Sequence, residues 1–125
     1  MQARRTDFGD SPELSARLLD LIVQGRKTAT CAALRDYQAE GESVPQPGDL
    51  MVAHDWDDRP ALIYQITDVQ LLPFRDIPAD FALAEGEGNA PEWRAAHQDF
   101  FERNGGFDDD MLIVCEWFKL VKVLM

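Results

Sequence analysis

A chain of 125 residues, 46% hydrophobic and 28% charged, has the size and apolar content of one ordinary globular domain, which excludes wholesale disorder. Its formal net charge of −11 sets the whole-molecule field against RNA and DNA, whose binding is driven by Lys and Arg releasing counterions from phosphates, and favours a small or nearly neutral ligand. The longest apolar runs, such as residues 111–115, fall far short of the roughly 20 residues that span a bilayer, so no membrane partner is expected.

The first seven residues hold Arg4 and Arg5 with no apolar stretch behind them, so no secretory signal is expected. Cys31 and Cys115 lie far apart in apolar or mixed segments, not in a C-x-x-C spacing. Free thiols are expected, and with them a reducing cytoplasm.

In chain order, Ser11-Pro12-Glu13 reads as an N-cap, a proline at the first helical position and an acid in the first turn. Leu14, Leu18, Leu21 and Ile22 then recur at helical spacing, and Gly25 supplies the stop. Residues 30–40, with Ala32, Ala33, Leu34 and Tyr37 on one face and Gly41 after them, predict a second, shorter helix. Residues 44–49 are turn chemistry, residues 50–54 a strand, residues 55–60 a polar turn and residues 61–69 a second strand, together a hairpin. Residues 70–74 read as a bent or edge continuation, because Pro73 cannot donate to a central ladder. A short helix over 80–85 and a longer one over 91–104 follow, the latter with Trp93, Ala96, His97, Phe100 and Phe101 as an apolar stripe and Gly105-Gly106 as its breaker. Residues 111–124 read as a long strand. Short strands interleaved with helices, without regular β-α-β alternation, predict an α+β fold.

Three segments carry candidate chemistry. Gly25-Arg26-Lys27-Thr28-Ala29-Thr30 sets a helix-ending glycine, a basic pair and two hydroxyls where the backbone turns. If the segment is a turn or the start of the second helix, Lys27 and Thr30 share a face within reach of one ligand. A lysine beside a hydroxyl takes its proton if burial lowers the lysine pKa, which makes threonine a nucleophile. The same residues also suit plain capping, with cations matching the helix dipole and threonine as an N-cap. The glycine spacing of a P-loop is absent.

In Glu85-Gly86-Glu87-Gly88, two carboxylates alternate with glycines that permit close backbone approach. A carboxylate here could pair with Lys27 or accept a substrate N–H; the alternative is a solvated acidic turn. On a helix, Trp93 and His97 at i and i+4 could stack with a base while Arg94 holds a phosphate. The alternative is a core tryptophan beside a hydrogen-bonded imidazole. With two histidines and no His/Cys/Asp cluster at ligand spacing, neither a metal nor another cofactor is expected, and Asp108-Asp109-Asp110 lacks the offsets of an EF-hand.

In this order, Gly25 to Thr30, Pro47-Gly48-Asp49-Leu50, Ala84-Glu85-Gly86-Glu87-Gly88, Trp93-Arg94 with His97 ahead of Phe100-Phe101, and Val114-Cys115-Glu116-Trp117-Phe118 resemble an ASCH domain. The resemblance covers nearly the whole chain, so residues 1–125 are read as a single domain. It implies a PUA-like β-barrel with flanking α-helices and a cleft between them that holds the lysine of the G-x-K-x-x-T segment. Some ASCH proteins are amidohydrolases of N4-acetylcytidine and related N4-acylated cytosines. Matched by motif, their Lys, Thr and Glu are Lys27, Thr30 and Glu87, with Glu85 as the fallback carboxylate. Lys27 is then the base, Thr30 the nucleophile, and Glu87 orients or protonates the leaving amine. Arg26, Thr28, Glu85, Trp93, Arg94 and His97 complete the expected substrate contacts. Other members resemble RNA-binding proteins or ribonucleases, which would use a groove of Arg26, Lys27, Arg35 and Arg94. A sensing domain with the same pocket and no turnover is the third alternative. The expected partner is a modified nucleoside or RNA.

Overall fold

The computed structural model describes residues 3–125; Met1 and Gln2, the start of the N-terminal stretch read above, lie outside the described residues. In chain order the elements are strand β1 (Arg4–Asp7), helix α1 (Pro12–Val23), strand β2 (Ala29–Ala33), helix α2 (Leu34–Glu40), strands β3 (Leu50–His54) and β4 (Pro60–Pro73), helices α3 (Ala79–Ala84) and α4 (Ala90–Arg103), and strand β5 (Leu112–Val123). This is an α+β fold in which helices pack on a curled, five-stranded half-barrel.

The strand order is β1-β3-β4-β5-β2, with β1 parallel to β3 and the other pairings antiparallel. The β4–β5 pairing shifts register at Ile63/Tyr64 and between Ile66 and Asp68. Bulges of this kind bend a strand and increase its twist, so the long β4–β5 pair curls and leaves β1 and β2 as the two edges.

Local signals account for much of this. The Ser11 hydroxyl accepts from Leu14 N–H at 3.2 Å, Pro12 opens α1, and Gly25 turns the chain at a φ of +77° just past the helix. The Asn89 side-chain oxygen Oδ1 caps α4 in the same way, accepting from Glu92 N–H at 2.9 Å.

Two expectations need correction, and one holds. The helix read over residues 30–40 is half strand: Ala29–Ala33 is β2, in register with β5 from Ala29↔Trp117 to Ala33↔Ile113, and only Leu34–Glu40 is helical. Alanine tolerates a helix but does not compel one, and the hydrogen-bonding edge of β5 overrides that weak preference. Residues 70–73 do continue β4 as a bent, one-sided stretch: past the bulges the strand pairs with β5 alone, because β3 reaches β4 only from Pro60 to Gln65, so Pro73 interrupts no central ladder. Strand β1 was not expected at all, since Arg4-Arg5-Thr6-Asp7 has no apolar alternation; charged residues of this kind are typical of an edge.

Alternation along β5 divides the interior in two. Ile113 and Cys115 face Phe74, Phe81, Trp93 and Phe101 beneath α3 and α4. Phe118 faces the other way, toward Phe8, Leu18, Ile22 and Tyr64 beneath α1. Period-two geometry puts Glu116 on that second side with Phe118.

Candidate active site

The site is assembled by two loops that interlock through their backbones. Beyond α1, Arg26 and Lys27 both donate their backbone N–H to Leu21 O, at 3.0 and 3.1 Å, which folds the chain back and turns the Lys27 side chain inward. Thr28 N–H then donates to Ala84 O at 2.7 Å, tying this loop to the end of α3. Gly86 sits directly on the Arg26–Lys27 peptide at a φ of +77°, where an added Cβ would lie 2.6 Å from Arg26 O. Only glycine permits that approach, and it brings the carboxylates on either side of it to the lysine.

Lys27 Nζ donates to Glu85 Oε1 at 2.8 Å and lies 3.8 Å from Glu87 Oε2. Both Lys27 and Glu85 are almost wholly buried, at 2% and 1% exposure. Glu85 is also the hub for α4: Trp93 Nε1 donates to its Oε2 at 2.8 Å, and His97 Nε2 lies 3.4 Å from the same oxygen. The His97 ring stacks on Trp93 at 4.3 Å, and its Nδ1 lies 2.9 Å from Trp93 O. Burial by itself pushes the Glu85 carboxyl up, but the charges of Lys27 and His97 and the hydrogen bonds from Lys27 and Trp93 outweigh it, and the net shift is downward.

These groups open on a cavity of about 400 Å³ between the edges β1 and β2, within the size range of small-molecule sites. Among the residues singled out from the sequence, Lys27, Thr30, Glu85, Glu87 and His97 line it. Arg26, Thr28, Trp93 and Arg94 do not. Arg26 is exposed outside it, and the Thr28 hydroxyl points to Ala84 O at 3.4 Å. Trp93 is fully buried and stacks on His97, not on a ligand base. Arg94 donates to the carbonyls of Phe74 and Ile77 and lies over the Phe74 ring, so its guanidinium is not free for a phosphate.

The cavity also holds groups the sequence reading passed over, above all Glu116 and Tyr37. Glu116 is 3% exposed and accepts from the Tyr37 hydroxyl at 3.0 Å. Burial pushes its carboxyl up to about 7, against the pull of that hydrogen bond and of Arg4. The available signal was a single acid inside the apolar run Ile113-Val114-Cys115-Glu116-Trp117-Phe118.

Cys31 and Cys115 stand opposite each other on β2 and β5 as free thiols, and burial pushes both up, Cys115 to about 12. The Cys31 Sγ, a Glu85 oxygen and a His97 nitrogen come within 4.8 Å of one another, a donor set that a soft divalent metal could use. The Lys27 ammonium already neutralises that carboxylate and opposes a second cation beside it.

The ASCH domain family model matches residues 4–122. An ASCH domain from Lactobacillus crispatus JV V101 is 35% identical, with a TM-score of 0.86 over 95% of this chain and 79% of that chain. A protein from Enterococcus faecalis V583 is 32% identical, with a TM-score of 0.86 over 100% of this chain and 84% of that chain. An ASCH protein variant from Zymomonas mobilis, 10% identical with a TM-score of 0.58 over 97% of this chain and 73% of that chain, is similar in fold alone. Comparison with curated proteins found no match.

Proposed function

The chain belongs to the ASCH domain family, and we propose that it is a hydrolase, a single domain that cleaves the amide of an N4-acylated cytosine, cytidine or similar modified nucleoside. The observation that carries this reading is the convergence of Lys27 and Thr30 from one segment, and Glu87 from another, on one cavity of ligand size. Thr30 attacks the acyl carbon. Lys27 enters the reaction as an ammonium, because Glu85 holds its charge at 2.8 Å; its role is to stabilise the oxyanion of the tetrahedral intermediate, and not to act as the base that the bare spacing suggested. Both Glu85 oxygens are engaged, by Lys27 and by Trp93, so of the two carboxylates on this loop Glu87 is the one free to accept a hydrogen bond from the leaving amine and orient it.

The charge of the wall favours a nucleoside over a polynucleotide. Six acids, Asp7, Asp36, Glu85, Glu87, Asp99 and Glu116, face the cavity, against Arg17, Lys27 and Arg103. In the groove an RNA-binding module would use, Arg35 donates to Gly106 O at 2.6 Å, Arg94 to two carbonyls and Lys27 to Glu85, leaving only Arg26 for phosphate.

Purified protein given N4-acetylcytidine is expected to release acetate and cytidine, with Lys27→Ala lowering kcat/KM by roughly 10²- to 10³-fold, as for loss of one oxyanion donor. A nucleoside that raises Tm yet is recovered unchanged would replace catalysis with sensing. Equal activity of wild type and Lys27→Ala would remove the lysine from the mechanism.

A further inference from the structure

We propose that Glu116 is the general base that takes the Thr30 hydroxyl proton, an inference that rests on the hydrolase reading above. Thr30 stands opposite Glu116 in the antiparallel β2–β5 pair, and Phe118 N–H donates to Thr28 O at 3.0 Å just before it. Two residues further along each strand, Thr30 and Glu116 are therefore the next hydrogen-bonded pair. In such a pair the Cα atoms lie about 5.5 Å apart and both side chains point to one face. Here that face is cavity wall, and both residues line it.

Glu116 is placed to work on its neighbour. One oxygen is held by the Tyr37 hydroxyl at 3.0 Å, which fixes the carboxylate, and no described donor engages the other. The groups facing it are Tyr37 from α2, Thr30 from β2, Arg4 from β1, Tyr64 from β4 and the Lys27–Glu85 pair. Burial dominates that set and brings the Glu116 carboxyl to about 7, where a base is still ionised near neutrality and holds a transferred proton well. No other carboxylate beside Thr30 combines register, burial and an open oxygen. Glu85 is engaged on both sides, and Glu87 sits with Lys27 on the α3 loop.

The Thr30 proton passes to Glu116 as Oγ1 bonds to the acyl carbon, and the carbonyl electron pair moves onto oxygen beside the Lys27 ammonium. As the intermediate collapses, the C–N4 bond breaks, and the amine leaves with a proton returned by Glu116. Water, deprotonated by Glu116 in turn, then attacks the threonyl ester, and as the acyl C–Oγ1 bond breaks Glu116 returns that proton to Thr30 Oγ1 and the carboxylic acid departs. The sum is amide plus water to amine plus carboxylic acid, which ionises to carboxylate and a solvent proton.

The test separates this pair from the identity of the substrate. Wild type treated with p-nitrophenyl acetate is expected to acquire an acetyl group on the Thr30 peptide, seen by mass spectrometry, at a rate that rises with pH through about 7. Glu116→Gln is expected to slow that acylation by on the order of 10²- to 10⁴-fold and to abolish the pH step, with Glu116→Asp recovering part of both. Tyr37→Phe removes a hydrogen bond that stabilises the carboxylate, so its pH step is expected to move upward; it serves as the second variant if Glu116→Gln folds poorly. Unchanged acylation in Glu116→Gln, an unmoved step in Tyr37→Phe, or no Thr30 adduct in wild type overturns the proposal. Glu116-dependent labelling of Thr30 without any hydrolysis of N4-acetylcytidine sustains the base–nucleophile pair and overturns the substrate reading alone.

Discussion

Glu85 and Glu116 are both buried carboxylates on the wall of one cavity, at 1% and 3% exposure, yet they are displaced in opposite directions. Burial acts on each in the same sense, upward. Glu85 has a lysine at 2.8 Å, an indole N–H and a histidine to offset it, and falls below the ordinary range. Glu116 has one phenol and the distant field of Arg4, and rises to about 7. Partners, not depth, decide which acid is a fixed charge and which exchanges protons, and two carboxyls pushed apart in this way fit a division between structure and acid–base work.

The largest expected effect comes from breaking the fixed charge. Glu85→Ala leaves the Lys27 ammonium buried without its closest partner and is expected to cost about 3–5 kcal/mol in denaturant unfolding, most of it recovered when Lys27→Met is added. An equal loss in Glu116→Ala would erase the distinction between the two acids.

Glu116→Gln sharpens the other half through pH. The folded chain holds this proton to about 7, against an ordinary value of 4.5. Between those values the folded state binds more protons than the unfolded one, so stability falls as pH rises across the window. Glutamine removes that fall. The variant is expected to gain up to about 3 kcal/mol on wild type at pH 8 and almost nothing at pH 4. Glu85 has the opposite sign: its contribution is present above the unfolded carboxyl value and is lost as pH drops through the depressed folded one.

Gly86→Ala is expected to have the smallest of the three effects, about 1–3 kcal/mol from a left-handed φ and a clash with Arg26 O. It moves Glu85 and Glu87 relative to Lys27 while β2 and β5 stay paired, so the pH step of Thr30 acylation should persist as Lys27-dependent turnover falls. Loss of that step together with turnover would mean that the two halves of the site are one.

The cap at Ser11, the stop at Gly25, strand Leu50–His54 and the Trp93-to-Phe101 stripe were legible because each is set by residues a turn apart. The ordered motifs likewise pointed to the family and to Lys27 with its carboxylates. Strands β1 and β2 were not legible: Arg4-Arg5-Thr6-Asp7 and Ala29-Thr30-Cys31-Ala32-Ala33 are strands only because β3 and β5 offer them hydrogen-bonding edges. The same pairing set Thr30 against Glu116, 86 positions away in the chain. Arg94 and Trp93 had the composition of ligand contacts, but the carbonyls of Phe74 and Ile77 and the Glu85 carboxylate reached them first.

By itself, the sequence determined the α+β class, the family pattern and the residue types at the site, since these rest on local periodicity, turn chemistry and motif order. Only the tertiary structure decided that Gly86 clamps Glu85 onto Lys27 and that β5 carries Glu116 to Thr30. The proton affinity of a buried acid depends on which charges surround it, and those charges arrive from segments far apart in the chain.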